Sequence, residues 1–251
     1  EPITGRKTEF YLHPFSIAEL KEIYSEIEIN RTLESRMIFG MYPGVVFESD
    51  FDKKKTLKSL AKSYVYKDVL EYRNIKNSEV LEKLLRALAL QVGNEVSYNE
   101  LASLIGINKI TVAEYIQILE RAFIVFRLPS FSRNLRNEIK SNRKIYFYDN
   151  GIRNALINNL NPLDLRQDAG ALWENFMIGE RVKHNNNTGL DANIYFWRTS
   201  QKQEIDLIEE CGGKLSGYEF KWKARPGKVP AAFARAYPEV GVKMVTKENY
   251  K

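Results

Sequence analysis

Two acidic residues and a lysine in the last fifth of the chain, Asp206, Glu219 and Lys221, have the types and spacing to do chemistry together. Between the two acids lies Cys211-Gly212-Gly213-Lys214, and a Gly-Gly pair is what a two-residue primed hairpin turn requires, because both central residues take positive φ. With the glycines at the tip, Cys211 faces Lys214. Counting outward, Asp206 then faces Glu219 and Glu204 faces Lys221. Side chains alternate along a strand, so these four residues are expected on one face. Ile205 with Phe220 and Leu207 with Tyr218 would form the opposite, apolar face. A three-residue loop would shift the pairing by one and scatter the cluster.

Two directly opposed carboxylates, with Cβ atoms about 5 Å apart, repel each other unless positive charge lies between them. A divalent cation would relieve that repulsion. Mg2+ or Mn2+ takes oxygen ligands and keeps positions for water and phosphate oxygens. Lys221 could hold or activate the attacking water and stabilise charge on a phosphate, so phosphodiester hydrolysis is the chemistry expected of Asp206, Glu219 and Lys221. The competing reading is a solvated charged strand face, since Glu-x-Lys alone is a common pattern.

The whole chain sets bounds on these readings. Its 251 residues, 44% hydrophobic and 28% charged, can bury a core and suggest more than one compact unit. A net charge of +6, from 38 Lys and Arg against 32 Asp and Glu, favours a polyanionic partner, with DNA the first expectation. One cysteine, Cys211, and two histidines, His13 and His184, exclude a Cys/His zinc site. No apolar run approaches the ~20 residues of a spanning helix and no signal peptide is visible, so no membrane partner and a cytoplasmic location are expected.

The elements that must position the cluster can be outlined from pattern. Residues 8–12 suggest a short strand whose sheet would lie ahead of Glu1, as in a fragment of a longer protein. Ser16 with Glu19 forms a capping box opening a helix to about Ile27. Helical pattern resumes over 31–39, breaks at Tyr42-Pro43-Gly44 and returns from about Thr56 to Tyr72. From Ser78, Leu81, Leu84, Leu85 and Leu88 line one helical stripe. Ser97 with Glu100 opens a short helix ended by Gly106, and Asn108 caps a longer one with Val112, Tyr115, Ile116, Leu119 and Phe123 inward.

That pair of helices reads as a helix-turn-helix. The strands expected at 123–128 and 144–148 bracket a basic wing, the layout of a winged helix. Its nucleic-acid contacts would be Lys109, Thr111 and Gln117 on the second helix and Arg133, Arg136, Lys140 and Arg143 on the wing, although Glu114 suits phosphate poorly and such modules also serve as packing units. Asp149 reads as a turn or cap residue. Residues 158–168 read as a linker. A last α/β unit follows: a helix over 170–183, a strand over 194–198, the hairpin, a helix over 229–235 and a strand over 241–245. Trp173, Phe176, Met177 and Trp222 read as packing residues.

Asp206 and Glu219-Phe220-Lys221, preceded by Glu174 in Trp173-Glu174-Asn175-Phe176, resemble the PD-(D/E)XK, or restriction-endonuclease-like, arrangement. That resemblance implies a third metal ligand at Glu174, although the residue could equally pair with Arg181 or cap its helix. The same helix, with Phe196-Trp197-Arg198, Glu204-Ile205-Asp206 and Tyr146-Phe147-Tyr148-Asp149, more closely resembles the C-terminal region of a prokaryotic AAA+ ATPase family. The stretch from Thr4-Gly5-Arg6 to His13-Pro14-Phe15-Ser16 is similar to the end of that family's ATPase domain.

The resemblance implies a helical remnant of an ATPase domain over 1–76, a winged helix-turn-helix over 77–158 and a nuclease-like α/β domain over 168–251, an α/β plus all-α chain. It also implies a homo-oligomer assembled through the upstream ATPase domain. No G-x-x-x-x-G-K-[ST] is present, so ATP is a cofactor only if that domain is supplied, and no ATPase activity is expected of this chain alone. Three functions remain open: metal-dependent DNA processing, a non-enzymatic recognition or assembly module, and a helix-turn-helix regulator that binds one duplex sequence without metal.

Overall fold

A computed structural model describes residues 10–63, 78–132, 143–223 and 228–250. Its first helices are set by two successive capping boxes rather than one. Ser16 and Glu19 cap α1, Ile17–Leu20, which stops after a single turn. Ser25 and Glu28 cap α2, Glu26–Phe39, with Gly40 at its C-cap. The expected helix from Ser16 to Ile27 is therefore two helices, because the second box restarts the chain in a new direction. Residues 10–12 are not a strand; the rest of the stretch expected there, 8 and 9, lies outside the described residues. The break at Tyr42-Pro43-Gly44 holds a short helix, α3, Pro43–Val46, with proline in its first turn. The next helix, α4, is Asp50–Leu60, capped by Ser49 well before Thr56; residues 64–72 of the expected run lie outside the described residues.

α5, Ser78–Leu90, turns its leucine stripe fully inward. It leads through β1, Glu95–Val96, to α6, Tyr98–Ile105, and α7, Lys109–Arg121. Between the last two, Gly106 sits at φ 79, a left-handed position that glycine takes without strain. Asn108 accepts from the Thr111 amide at 2.8 Å and so starts α7. Phe123, expected on α7's buried side, lies beyond the helix end at φ 54 and is 39% exposed. β2, Val125–Pro129, and β3, Arg143–Phe147, pair antiparallel, and β1 joins β3's other edge, giving the order β1-β3-β2.

α8, Asn150–Leu156, follows β3 at once. Asp149 is its N-cap, as expected, and also accepts from the Met41 amide at 2.6 Å. Gly151 lets α8 approach the end of α2 closely: a Cβ there would stand 2.1 Å from the Phe39 carbonyl oxygen.

The stretch 158–168 has a linker's composition but is bound down. Asp168 pairs with Arg153 and Arg166, both buried; Arg153 also donates to the Ala89 carbonyl at 2.7 Å and Arg166 to the Asn154 side chain at 2.9 Å. Burial would raise the Asp168 carboxyl, but the Arg166 and Arg153 guanidiniums hold it down to about 2. Its folded pKa lies below its unfolded one, so its stabilisation is complete above about pH 4 and is lost as pH falls toward 2. Asp168→Asn should cost about 2 kcal/mol, short of a fully buried pair because the carboxylate is partly exposed. Urea denaturation should show that loss at pH 7 and a smaller one near pH 3.

α9, Ala169–Thr188, is longer than expected and ends at Gly189, φ 66. A four-stranded sheet of order β4-β5-β6-β7 follows: β4, Ala192–Arg198; β5, Glu204–Cys211; β6, Lys214–Phe220; and β7, Val242–Val245. The first three run antiparallel and β7 lies parallel to β6, which requires the crossover through α10, Ala231–Ala236. Trp173 and Phe176 on α9 pack with Leu207 and Phe220 in the main core, whereas Phe233 and Tyr237 pack with Trp197, Ile205 and Ile208 in a second cluster. The two sheets meet where the Phe131 amide donates to the Phe196 carbonyl at 2.6 Å. The architecture is mixed α/β, and among the described residues no helix is long and apolar enough to cross a membrane.

Candidate functional site

The hairpin has the expected register from its tip as far as Leu207, while the expected pairs Asp206–Glu219 and Glu204–Lys221 lie beyond the paired stretch. Cys211 faces Lys214 and Leu207 faces Tyr218, with both tip glycines at positive φ, 56 and 76. Beyond that point regular alternation ends. On the other side of β5, Tyr195 pairs with Ile208 but Trp197 pairs with Ile205, so Asp206 and Leu207 together stand opposite Phe196. This is a β-bulge. It explains why Ile205 and Ile208, three residues apart, share one apolar cluster while Leu207 belongs to the other. The expected apolar face uniting Ile205 with Phe220 is therefore not formed: Ile205 packs with Phe233, and Phe220 with the main core.

At the bulge Asp206 is 5% exposed. One of its oxygens accepts from the Phe220 amide at 2.8 Å and from Lys221 Nζ at 3.3 Å. Lys221 also lies 2.6 Å from Glu219. Partial burial opposes the lysine's charge, but Asp206 and Glu219 outweigh it and hold the ammonium form above the usual lysine range. Glu219 is pushed up by burial and by the Asp206 charge, against the opposing pull of Lys221.

Glu174 reaches the same place from α9. Its carboxylate takes neither alternative part: it accepts from Lys144 Nζ at 3.0 Å and from the Tyr146 hydroxyl at 2.5 Å, while Arg181 binds Glu209 at 2.6 Å. Burial pushes the Glu174 carboxyl up to about 7, the Asp206 charge adding to the rise and Lys144 and Tyr146 opposing it. Glu204 accepts from Lys144 and pairs with Arg198 at 3.3 Å. Arg198 in turn lies 3.4 Å from Glu95. Oxygens of Glu174, Glu204 and Asp206 lie within 4.8 Å of one another, the one such grouping among the described residues.

Sequence reasoning thus located Glu174, Glu204, Asp206, Glu219 and Lys221, taking Glu219 rather than Glu204 as a metal ligand, but left out Lys144 and Tyr146. Glu204 belongs to the close trio, whereas Glu219 is held at its side by Lys221. Lys144, 0% exposed, and Tyr146 project from β3 into the carboxylates, with the lysine also 5.5 Å from the centre of the Phe196 ring. Their signal was available in Lys144-Ile145-Tyr146-Phe147. A lysine in so apolar a strand needs a buried partner, and Tyr146, two residues on, points to the same side.

The donor set suits a hard divalent cation, being all carboxylate oxygen. Five carboxylates, Glu95, Glu174, Glu204, Asp206 and Glu219, against three cations, Lys144, Arg198 and Lys221, leave two formal negative charges over. The fit is conditional in one respect. Lys144 already bridges Glu174 and Glu204, so a cation would share those two ligands with it.

Of the residues expected to contact nucleic acid, four lie among the described residues. Lys109 and Gln117 are exposed on α7, and Thr111 is engaged with the Asn108 cap through both amide and hydroxyl. Arg143 opens β3 opposite Val96. Arg133, Arg136 and Lys140 lie outside the described residues.

Relatives are found in bacteria and archaea. An uncharacterized protein of Haemophilus influenzae is 24% identical over 164 residues, covering 62% of this chain and 41% of that protein. One of Mycobacterium tuberculosis is 25% identical over 190 residues, 74% of this chain and 42% of that protein. One of Methanocaldococcus jannaschii is 25% identical over 223 residues, 82% and 48% respectively. The chain spans less than half the length of these relatives. No solved structure matches it. Residues 169–249, which supply Glu174, Glu204, Asp206, Glu219 and Lys221, match the domain of unknown function DUF4143. Lys144 and Tyr146 come from a different match, over residues 30–163, which spans more than half of the chain and makes it a member of the family described as domain of unknown function DUF8612.

Proposed function

We propose that this chain is the C-terminal part of an AAA+ ATPase-type protein whose last unit is a PD-(D/E)XK nuclease-like domain acting on phosphodiesters, with DNA as its polyanionic partner. The observation that carries the reading is the meeting of Glu174, Glu204 and Asp206 within 4.8 Å, beside a lysine that touches Asp206 and Glu219. The mixed sheet between α9 and α10 supports it, as does the divergence of β5 from β6 where the carboxylates collect. The helix pair α6–α7 followed by the β2–β3 pair supports a winged helix, with Lys109 and Gln117 free to face DNA. The length of the relatives leaves room for an ATPase unit outside the shared stretch, through which the protein would bind ATP and assemble.

Mg2+ or Mn2+ held by Glu174, Glu204 and Asp206 would polarise a phosphoryl oxygen and make a bound water more acidic. Lys221 has a narrower part than sequence alone suggested. Its charge is stabilised from two sides, so at neutral pH it donates hydrogen bonds to developing negative charge and does not serve as a general base. Glu219, 2.6 Å from that ammonium, helps to position it together with Asp206.

A second reading rests on Lys144. Because it neutralises two of the three carboxylates internally, the unit could keep its shape without a metal and serve recognition or assembly. Cleavage of linear, nicked and single-stranded DNA with Mn2+ separates the two. Under the first, Asp206→Ala is expected to reduce cleavage at least ~100-fold, a loss typical of removing a group that acts in the transition state. Absence of cleavage by both parent and variant, with DNA binding retained, would leave the second.

A further inference from the structure

Far from the carboxylates in sequence, α2, α3 and α4 enclose a cavity of about 250 Å³ whose lining includes Tyr24, Arg31, Ser35, Arg36 and Lys53. Arg36 is the unusual member. It is 6% exposed, its guanidinium lies 5.5 Å from the centre of the Tyr24 ring, and its Nη1 has no hydrogen-bond partner. Among the described residues it forms no ion pair. The nearby carboxylates are already engaged. Glu28 closes the capping box on Ser25, and Glu180 accepts from the Ile17 amide at 2.7 Å and pairs with Lys183.

A guanidinium stays charged in a protein, and a buried charge without a partner is costly. Such a group is retained where something supplies the missing negative charge. Three cations, Arg31, Arg36 and Lys53, line the cavity against one carboxylate, Glu28, a balance that favours an oxyanion. Ser35 precedes Arg36 on α2, and its Oγ accepts from Lys53 Nζ at 3.3 Å, which leaves its own proton free to donate. Lys53 comes from α4, across the cavity, where Asp50 at 3.0 Å and the Phe39 ring, centred 5.6 Å away, hold it. Arg31, one turn before Ser35, stands exposed at the rim. A bidentate-capable guanidinium, an ammonium and a hydroxyl therefore line one cavity from two helices, the kinds of donor that bind phosphate oxygens.

We propose that this cavity is a binding site for a phosphate-class oxyanion, either free phosphate or the phosphomonoester end of a small molecule, with Arg36 as its central ligand and Lys53 and Ser35 as its flanks. The site is independent of the nuclease-like reading, sharing no residue with it.

Calorimetry and thermal melting of the full chain would test it, with inorganic phosphate in one arm, glycerol phosphate in the second and sodium chloride at matched ionic strength as reference. At least one phosphate arm is expected to raise the melting temperature above the chloride reference. Arg36→Met should weaken that binding at least ~10-fold, the loss of one charge-assisted contact, and should itself raise the melting temperature of the phosphate-free protein by removing an unpaired buried charge. Lys53→Met should also weaken binding and serves if Arg36→Met fails to fold. Tighter binding of glycerol phosphate would identify an ester ligand; equal binding would identify the free anion. Melting shifts no larger than those of chloride in both arms, or binding by Arg36→Met within twofold of the parent, would overturn the proposal.

Discussion

Lys144→Met is expected to cost the metal-free protein about 4 kcal/mol, the range found when one partner of a buried ion pair is removed. The lysine is fully buried and its Nζ bridges Glu174 and Glu204, which reach it from α9 and β5. Methionine keeps most of the volume but leaves Glu174 with no cation and Glu204 with Arg198 alone, while Asp206 keeps Lys221. Part of the loss would be relieved by protonation, since Glu174 already titrates near 7; the variant should be less impaired at pH 6 than at pH 8. Millimolar Mn2+ should restore a large share of the stability if the trio accepts a divalent ion, because the ion then takes the place left by the ammonium. Urea melts of parent and variant with and without Mn2+ give all of these differences. A variant as stable as the parent, or one that Mn2+ does not help, would count against a metal-binding trio.

Asp149→Ala should be nearly as damaging, at about 3 kcal/mol. The carboxylate lies buried between two amides distant in sequence, Met41 at 2.6 Å and Ile152 at 3.0 Å, so alanine removes the α8 cap and leaves both N–H groups without an acceptor. Alanine also opens a space where the end of α2 meets α8, because Gly40 lies against that carboxylate. The urea midpoint should fall with an unchanged slope if the fold is otherwise intact. Asp149→Asn keeps an acceptor for one amide but sets its NH2 donor against the other, so it should recover only part of the loss.

Both residues show why part of the molecule was legible in advance and part was not. Asp149 was readable as a cap because capping is decided within three or four residues. Its bond to Met41, 108 residues away, was not, since no local pattern encodes it. The capping box at Ser16, the side-chain cap at Ser97, the left-handed Gly106 and the leucine stripe of α5 were likewise local, and local chemistry sets them. Composition misread residues 158–168, because hydrogen bonds from Arg153 and Arg166 bind down a segment that looks like a linker. The helix expected to run from Ser16 to Ile27 was overextended because a second capping box nine residues later competes with continuation of the first helix.

For the hairpin, sequence alone determined the primed turn, the pairing of Cys211 with Lys214 and the proximity of Asp206, Glu219 and Lys221. A two-residue turn leaves the two strands only one register, and its glycines announce it. Tertiary structure decided the rest. A bulge imposed where β5 meets β4 turned Asp206 out of simple alternation, α9 delivered Glu174, and β3, some sixty residues before the hairpin, inserted Lys144 and Tyr146. Those contacts depend on how separate elements pack, and burial then sets the charge of the groups they bring together.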